Sequence, residues 1–225
     1  MIRQIKNVTA FLLIIAITAA ADPIAVITRM QGSGTLLRGQ SGNRQVLEIG
    51  VVLDAGDRLE TAADGFCTLV FVDDKSTIRI YENSAAVLGG ERREAAIHKT
   101  INIAYGTFWI SLPPQHSFFR AATPTSRATA KGTEFWVLQP RSGATRYIGL
   151  QGLIDLESGS GKVLLRAGQT AVVDEKEALP EIRLTAPEDI PLLQRSPGQI
   201  HVLEIEFKDE NGKSRLLRVE YLETP

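Results

Sequence analysis

Apolar and polar residues alternate along most of the chain, in short runs separated by glycine, aspartate, asparagine and proline. Alternation with a period of two is typical of strands, because successive side chains of a strand point to opposite faces of a sheet. Between residues 22 and 173 no segment shows the three-to-four-residue spacing of an amphipathic helix. The pattern therefore predicts an all-β domain over residues 22–173.

Two segments of this domain are informative. Residues 66–72 are apolar on both strand faces apart from Thr68, which is typical of a strand covered on both sides. Farther along, residues 96–103 and 107–111 show the alternation of two separate strands. The chain therefore builds its sheets from many short pieces.

Two glycine turns have similar local sequences. The sequence of residues 53–57 resembles that of residues 165–169, and in both a glycine lies between two short strands. The glycines are Gly56, which is followed by Asp57, and Gly168. We predict structural turns at both places, in a fold that returns to the same geometry.

The pattern of residues changes in about the last quarter of the chain, from residue 174 onward. Residues 174–199 are charged and then interrupted by four prolines, which predicts a linker across the surface with one short helix opening at Pro187. Alternation resumes over residues 200–225, on both sides of the Asn211-Gly212 pair. We predict a β-hairpin there, which needs a docking surface because an isolated two-stranded hairpin is marginal in water.

The N-terminus has the pattern of a secretory signal. Arg3 and Lys6 precede an uncharged, mostly apolar run over residues 8–20, and Ala19-Ala20-Ala21 supplies a small-residue cleavage pattern. That run is shorter than the roughly 20 residues that cross a bilayer. We expect residues 1–21 to be cleaved, which leaves no integral membrane span and predicts a periplasmic or cell-surface protein. The alternative is a retained membrane anchor.

Charge and cysteine content limit two properties: attraction to nucleic acid and disulfide formation. The formal net charge is −1, and this balance argues against general attraction to nucleic acid. The only cysteine, Cys67, has apolar neighbours in its strand and cannot form an internal disulfide. We expect it to be a small buried hydrophobic residue.

The sequence offers no metal or cofactor motif. Asp73 and Asp74 form an acidic pair that could hold a cation, but no calcium-loop spacing follows, and a solvated hairpin tip is the favoured interpretation. The glycines at 32 and 34 lack the third glycine of a dinucleotide loop, which is Leu37 here.

Catalytic signatures are also missing. The histidines lie far apart in the sequence and match no metal-site spacing. Paired carboxylates for glycoside hydrolysis meet only in space, so the sequence leaves this possibility open. The conceivable members are Asp57, Glu60, Glu82 and Glu134.

Aromatic residues make up only 6% of the chain and cluster in its middle. Phe108 and Trp109 are neighbours, as are Phe135 and Trp136, so one member of each pair is expected in the core and the other outside. An exposed tryptophan suits carbohydrate stacking or partner contact, whereas packing under a loop at the rim is the structural alternative.

A glycine turn precedes the second of these aromatic pairs. Gly132 permits a sharp turn or a close backbone approach. Glu134 follows it and is expected to cap backbone amides of that turn, with a ligand role as the alternative. Trp109, Trp136 and Glu134 are therefore the candidate ligand- or partner-binding residues.

The order of these pieces resembles the FecR-type periplasmic domain, over roughly residues 45–175. The specific part of the resemblance is a Thr-Pro-Thr run followed by Gly-Thr-Glu-Phe, which here occupies residues 123–125 and 132–135. The supporting pieces are Ala55-Gly56-Asp57, residues 66–72, Asp73-Asp74, Gly106-Thr107-Phe108, Gln151-Gly152-Leu153 and Ala167-Gly168-Gln169.

This resemblance implies an all-β fold of stacked short strands, a compact β-roll or short β-helix. Family members of the iron-dicitrate regulator type relay a signal from an outer-membrane transporter to a cytoplasmic sigma factor, through an anti-sigma segment and a membrane helix that precede the domain. Only seven residues precede the apolar run here, so we do not expect the sigma-factor role.

The sequence thus predicts an exported, non-enzymatic binding or scaffold module of the cell envelope, which contacts a protein partner or a glycan and needs no cofactor. The alternatives are a membrane-anchored signalling or regulatory subunit and an envelope enzyme that acts on glycan.

Overall fold

The computed structural model describes residues 23–39, 41–93, 96–114, 119–191, 200–208 and 214–222, the last two ranges as backbone. The predicted signal over residues 1–21 and the predicted Asn211-Gly212 turn lie outside these ranges. The strands are β1 (Ala25–Gln31), β2 (Gly34–Leu37), β3 (Arg44–Val46), β4 (Val52–Leu53), β5 (Arg58–Thr61), β6 (Phe66–Phe71), β7 (Thr77–Ile80), β8 (Ala85–Arg93), β9 (Ala96–Ser111), β10 (Phe119–Ala122), β11 (Arg127–Ala130), β12 (Glu134–Gln139), β13 (Thr145–Gln151), β14 (Leu153–Ser158), β15 (Gly161–Arg166), β16 (Gln169–Val173), β17 (Glu181–Leu184), β18 (Ile200–Lys208) and β19 (Ser214–Leu222).

The first seventeen strands pair into two layers that share β9. The first sheet has the order β4-β1-β6-β7-β9-β12-β13-β16-β17, and the second has the order β3-β2-β5-β8-β9-β10-β11-β14-β15. Among these pairings only β9 with β10 is parallel. The predicted all-β fold of stacked short strands is confirmed.

The two predicted strands at 96–103 and 107–111 are one long strand, so that prediction is wrong. Residues up to Tyr105 pair with β8 in the second sheet, and residues from Gly106 onward pair with β12 in the first. Gly106 has a φ of +118°, and a Cβ there would lie 2.0 Å from the Ser84 hydroxyl oxygen. The glycine therefore bends β9 from one sheet into the other without ending it.

One apolar core fills the space between the two sheets. Inward-facing residues of both sheets, such as Leu69 and Ile110 in the first and Ile101 and Leu156 in the second, are completely buried. The rings of Phe71 and Phe119 meet edge to face across the layers, with centroids 6.4 Å apart. The strict alternation of the sequence thus separates one buried face of each sheet from one outer face.

The two similar glycine turns are corners between the sheets. At Gly56 the chain leaves β4 in the first sheet and enters β5 in the second, and at Gly168 it passes back from β15 to β16. Both glycines have positive φ, +93° and +75°. Their N–H groups donate to the carbonyls of Leu88 and Gly149, each at 2.8 Å.

Part of the predicted linker is a strand. Residues 181–184 form β17, which extends the first sheet beyond β16. Its sequence alternates over only four residues, Glu181-Ile182-Arg183-Leu184, and all four side chains are exposed.

The remaining residues form a second compact unit, which begins at Pro187. A short 3-10 helix over Pro187–Asp189 opens it, as predicted. Its β18 and β19 pair antiparallel from Ile200 opposite Leu222 to Lys208 opposite Ser214, which confirms the predicted hairpin.

Candidate functional site

The outer face of the first sheet carries an unusual set of aromatic and arginine side chains. Backbone register places Arg79, Trp109 and Trp136 side by side on β7, β9 and β12. Strands β1 and β6 continue this surface with Arg29 opposite Thr68 and Gln31 opposite Phe66. We call the following residues the aromatic face: Arg29, Phe66, Arg79, Tyr81, Trp109 and Trp136.

Trp109 is held in place by contacts on its ring and on its indole N–H. The guanidinium carbon of Arg79 lies 4.2 Å from the centre of the ring, within cation–π distance. The indole Nε1–H donates to Glu134 Oε1 at 3.0 Å. The side chain remains half-buried, so a fixed aromatic surface faces the solvent.

Trp136 lies on the same face but is buried, with 6% of its surface exposed. Its ring centroid is 5.3 Å from that of Tyr81, which in turn is 5.1 Å from that of Phe66. Arg29 extends this row of rings, with its guanidinium carbon 5.6 Å from the centre of Phe66. One member of each aromatic pair lies in the core, as expected, and these members are Phe108 and Phe135. On the outer face Trp109 is partly exposed, whereas Trp136 is packed, as in the structural alternative.

Gly132 and Glu134 lie at the entrance to β12. Gly132 has a φ of +60°, and a Cβ there would lie 3.1 Å from Pro114 Cα, so the turn needs glycine. The contact described for the Glu134 carboxylate is the indole of Trp109 rather than a backbone amide. The structure thereby brings together Trp109 and Glu134, two residues that the sequence singled out separately.

Asp57 is a structural centre at the first corner. It is 2% exposed, and its Oδ2 accepts from Arg38 Nη1 at 2.7 Å and from the Asp54 N–H at 3.0 Å. Its Oδ1 accepts from the Gly39 N–H at 3.1 Å. A buried carboxylate with this many donors ties β2, β4 and β5 together.

The acidic pair after β6 is not a solvated hairpin tip, so that prediction is wrong. Lys99 Nζ reaches inward from β9 and donates to Asp73 Oδ2 at 2.8 Å and to Asp74 Oδ2 at 2.7 Å. All three side chains are nearly inaccessible to solvent. The Lys99 ammonium therefore supplies the positive charge beside Asp73 and Asp74 that a bound metal cation would otherwise supply. Lys99 gave no signal in the sequence because one lysine in a β-strand is usually solvated.

The Thr-Pro-Thr run builds a buried hydroxyl network. Thr123 and Ser126 close a tight turn, and the Ser126 hydroxyl lies 3.0 Å from the Tyr147 hydroxyl. Thr125 Oγ1 lies 2.5 Å from Thr145 Oγ1. Burial raises the pKa of Tyr147, and hydrogen bonds from Ser126 and Thr123 oppose that rise. The most specific motif of the sequence therefore serves the fold, because it joins the β10–β11 turn to β13.

The described residues contain neither a metal-ligand cluster nor a reactive thiol. No group of three or more metal-ligating side chains occurs among the described residues. Cys67 is completely buried, and burial raises the pKa of its thiol to about 12. Such a thiol remains protonated and is a poor nucleophile.

The carboxylates considered for glycoside hydrolysis are engaged separately. Asp57 is bound by Arg38, Glu60 by Arg58 at 2.7 Å, and Glu134 by Trp109. Glu82 lies apart from these contacts, at the edge of a cleft beside the aromatic face.

Part of the chain is similar to known proteins. No curated protein sequence matches it. Two solved structures of a candidate anti-sigma factor from Parabacteroides distasonis ATCC 8503 are similar, with 8% and 9% sequence identity and TM-scores of 0.49 and 0.47. Each similarity covers 56% of this chain and 59% of the solved chain. No helix in the described ranges is long and apolar enough to cross a membrane.

The family match coincides with the strands that build the site. The family model described as FecR protein matches residues 57–155, from the first corner into β14. That range contains Arg79, Trp109, Glu134 and the Thr-Pro-Thr run. The resemblance to the FecR-type domain is therefore confirmed over residues 57–155.

Proposed function

We propose that this chain is a non-enzymatic binding module of the cell envelope that holds a protein partner on the aromatic face. The observation that carries the proposal is the fixed, partly exposed indole of Trp109, with Arg79 on its ring and Glu134 on its N–H. Tryptophan, tyrosine and arginine are the residues that most often dominate protein–protein binding energy. Because these side chains are already ordered, binding loses little conformational entropy at them.

A protein partner fits this face better than a glycan. The Arg79 guanidinium already occupies one face of the Trp109 ring, whereas stacking of a sugar needs an open ring face. The second large indole, Trp136, is buried and offers no platform. Arginine and tryptophan together instead suit a partner that supplies both apolar and acidic groups.

The decisive experiment places a photoreactive amino acid at Ser111, which lies opposite Glu134 at the end of β9. A control protein carries the same group at Thr129 on the outer face of the second sheet. In cells, we expect one discrete protein adduct from Ser111 and none from Thr129. Trp109→Ala in the Ser111 protein should abolish the adduct while leaving the far-UV spectrum unchanged. Equal adducts from both positions would refute the proposal.

The C-terminal hairpin is a second region that we propose for partner contact, since the unpaired edge of a strand accepts another strand. Deletion of residues 200–225 should weaken partner recovery if the hairpin takes part. Full recovery by a folded deletion variant would restrict the interface to the aromatic face.

A membrane-anchored signalling or regulatory subunit is the second candidate, and the FecR family match favours it. It differs from an exported module in the fate of residues 1–21. The mass of the protein isolated from cells distinguishes the two. Intact Met1 in the membrane fraction would establish an anchor, and a chain that begins at Asp22 would establish export.

A further inference from the structure

A cleft of about 480 Å³ opens beside the aromatic face, where β9 bends at Gly106. Its inner wall is shared with that face, because Thr107 and Leu138 are two residues from Trp109 and Trp136 on the same strands and lie opposite each other in register. A ligand in the cleft is therefore within reach of anything bound to Trp109.

The floor of the cleft is rigid. The Thr107 N–H donates to the Ser84 hydroxyl oxygen at 3.0 Å, and that hydroxyl donates to the Glu82 carbonyl at 3.2 Å. At the end of β12 the side chain of Gln139 is 4% exposed, and its Nε2–H donates to the Pro140 carbonyl at 2.7 Å. These bonds fix the shape of the cleft before any ligand arrives.

Two guanidinium groups and one carboxylate line the cleft. The guanidinium carbon of Arg141 lies 3.5 Å from the centre of the Tyr105 ring, and Arg146 extends from β13, where it lies opposite Leu138. Glu82 is the single acidic lining residue. The excess of positive charge favours an anionic ligand.

Arg146 supplies the most specific signal. Its Nε is buried, and no hydrogen-bond partner reaches it from the described residues. A buried donor without a partner destabilises the protein, because it has lost its bond to water. The Nε–H and an Nη–H of one guanidinium present two parallel donors, and the group that fits such a pair is a carboxylate.

We propose that this cleft binds a carboxylate side chain, a glutamate or an aspartate, of the protein partner held on the aromatic face. Binding turns the Arg146 guanidinium into the cleft, where its Nε–H and one Nη–H pair with the two carboxylate oxygens. The stack of Arg141 on Tyr105 forms the wall along the aliphatic stem. The inference rests on the proposed function, and it specifies the chemistry that the partner must present beside Trp109.

The test is a titration of the full chain, labelled with 15N in arginine, with N-acetyl-glutamate N-methylamide as the probe. We expect a saturable shift of the Arg146 Nε–Hε signal, and no shift with the matched glutamine compound. Arg146→Gln should weaken binding of the probe by at least tenfold. Arg127→Gln, which alters an exposed arginine of the second sheet, should leave binding unchanged.

A parallel titration with glucuronate distinguishes the source of the carboxylate. A shift with glucuronate alone would overturn the assignment to a protein side chain. No shift with either acid, or equal shifts with the glutamate and glutamine compounds, would overturn the site itself.

The failure of this inference is distinguishable from the failure of the proposed function. If Trp109→Ala abolishes the adduct from Ser111 but Arg146→Gln leaves it intact, the aromatic face stands and the cleft is wrong. If the probe binds but the adduct survives Trp109→Ala, the cleft takes carboxylates without a partner on the aromatic face, and the inference as stated is overturned.

Discussion

The outer faces of the two sheets share one core and differ in chemistry. On the first sheet, arginines lie over aromatic rings, with Arg79 on Trp109 and Arg29 on Phe66. On the second sheet, charged residues pair with one another, as Arg58 does with Glu60 at 2.7 Å and as Lys162 does with Glu157 at 3.4 Å.

This difference is the one expected between a surface that keeps a protein soluble and the partner-binding surface that we propose. Exposed ion pairs contribute little free energy, because water and salt compete for both charges. An arginine on an aromatic ring keeps its charge and at the same time fixes the position of an apolar group. The first sheet therefore pre-arranges the kinds of side chain that bind proteins, and the second sheet does not.

The largest difference between the two outer faces is expected at Trp136, which is buried although it lies on the outer face of the first sheet. We expect Trp136→Ala to lower the free energy of unfolding by about 3–5 kcal/mol, because it leaves a large cavity beside Tyr81. The control is Thr129→Ala on the outer face of the second sheet, which should change stability by less than about 0.5 kcal/mol. Urea unfolding followed by far-UV circular dichroism measures both. A loss below about 1 kcal/mol for Trp136→Ala would place that indole at the surface.

The strand beneath the aromatic face provides the next test, through Cys67. Burial raises the pKa of its thiol from 9.0 to about 12. Between these values the unfolded chain releases the proton and the folded chain keeps it, so stability falls as the pH rises. We expect a loss of about 1 kcal/mol between pH 9 and pH 10 that is missing in Cys67→Ala.

Urea unfolding of both proteins at the two pH values isolates this effect, because all other titrating groups are common to them. Thiol labelling supplies the control, since the native protein should react only as fast as it unfolds. Rapid labelling without unfolding would show that β6 opens locally and that the first sheet is not sealed.

A smaller effect should distinguish the aromatic pair from the ion pair. In a double-mutant cycle, Arg79→Ala and Trp109→Ala should show a coupling free energy of about 0.5–1 kcal/mol. Thermal unfolding of the four proteins measures it. A coupling of zero would mean that the guanidinium only lies near the ring and does not fix it.

The smallest effect is expected on the second sheet. The cycle formed by Arg58→Ala and Glu60→Ala should give a coupling below about 0.5 kcal/mol, and about 1 M salt should remove it. The coupling of Arg79 to Trp109 should persist better in the same salt, because part of that contact is packing. Equal salt sensitivity of both cycles would make the two faces alike.

Much of the architecture could be predicted from the sequence, because alternation directly reports which side of a strand is buried. It correctly predicted that one member of each aromatic pair lies in the core, and these members are Phe108 and Phe135. It did not predict that β9 continues through Gly106, because a glycine between two apolar runs is equally typical of a turn. It also missed β17, because the alternation of Glu181-Ile182-Arg183-Leu184 is only four residues long and lies in a segment interrupted by prolines.

The site was harder to predict, because its contacts join residues that are distant in the chain. The burial of Trp136 depends on Tyr81, and the neutralisation of Asp73 and Asp74 depends on Lys99. No local pattern specifies such partners. The sequence indicates Trp109 by its expected exposure and Glu134 by its place after a glycine turn. Only the register of β9 with β12 shows that the two side chains are hydrogen-bonded to each other.

The shared strand β9 makes the domain mechanically indivisible. Its first part is flanked by β8 and β10 and its second part by β7 and β12, so neither sheet can be peeled away without breaking it. Its central amides should exchange with deuterium only when the whole domain unfolds, while the outermost strands exchange earlier. Lys99 and Trp109 both lie on β9, in its second-sheet and first-sheet parts respectively. A force applied to the Trp109 side chain is therefore transmitted along the β9 backbone to the second sheet.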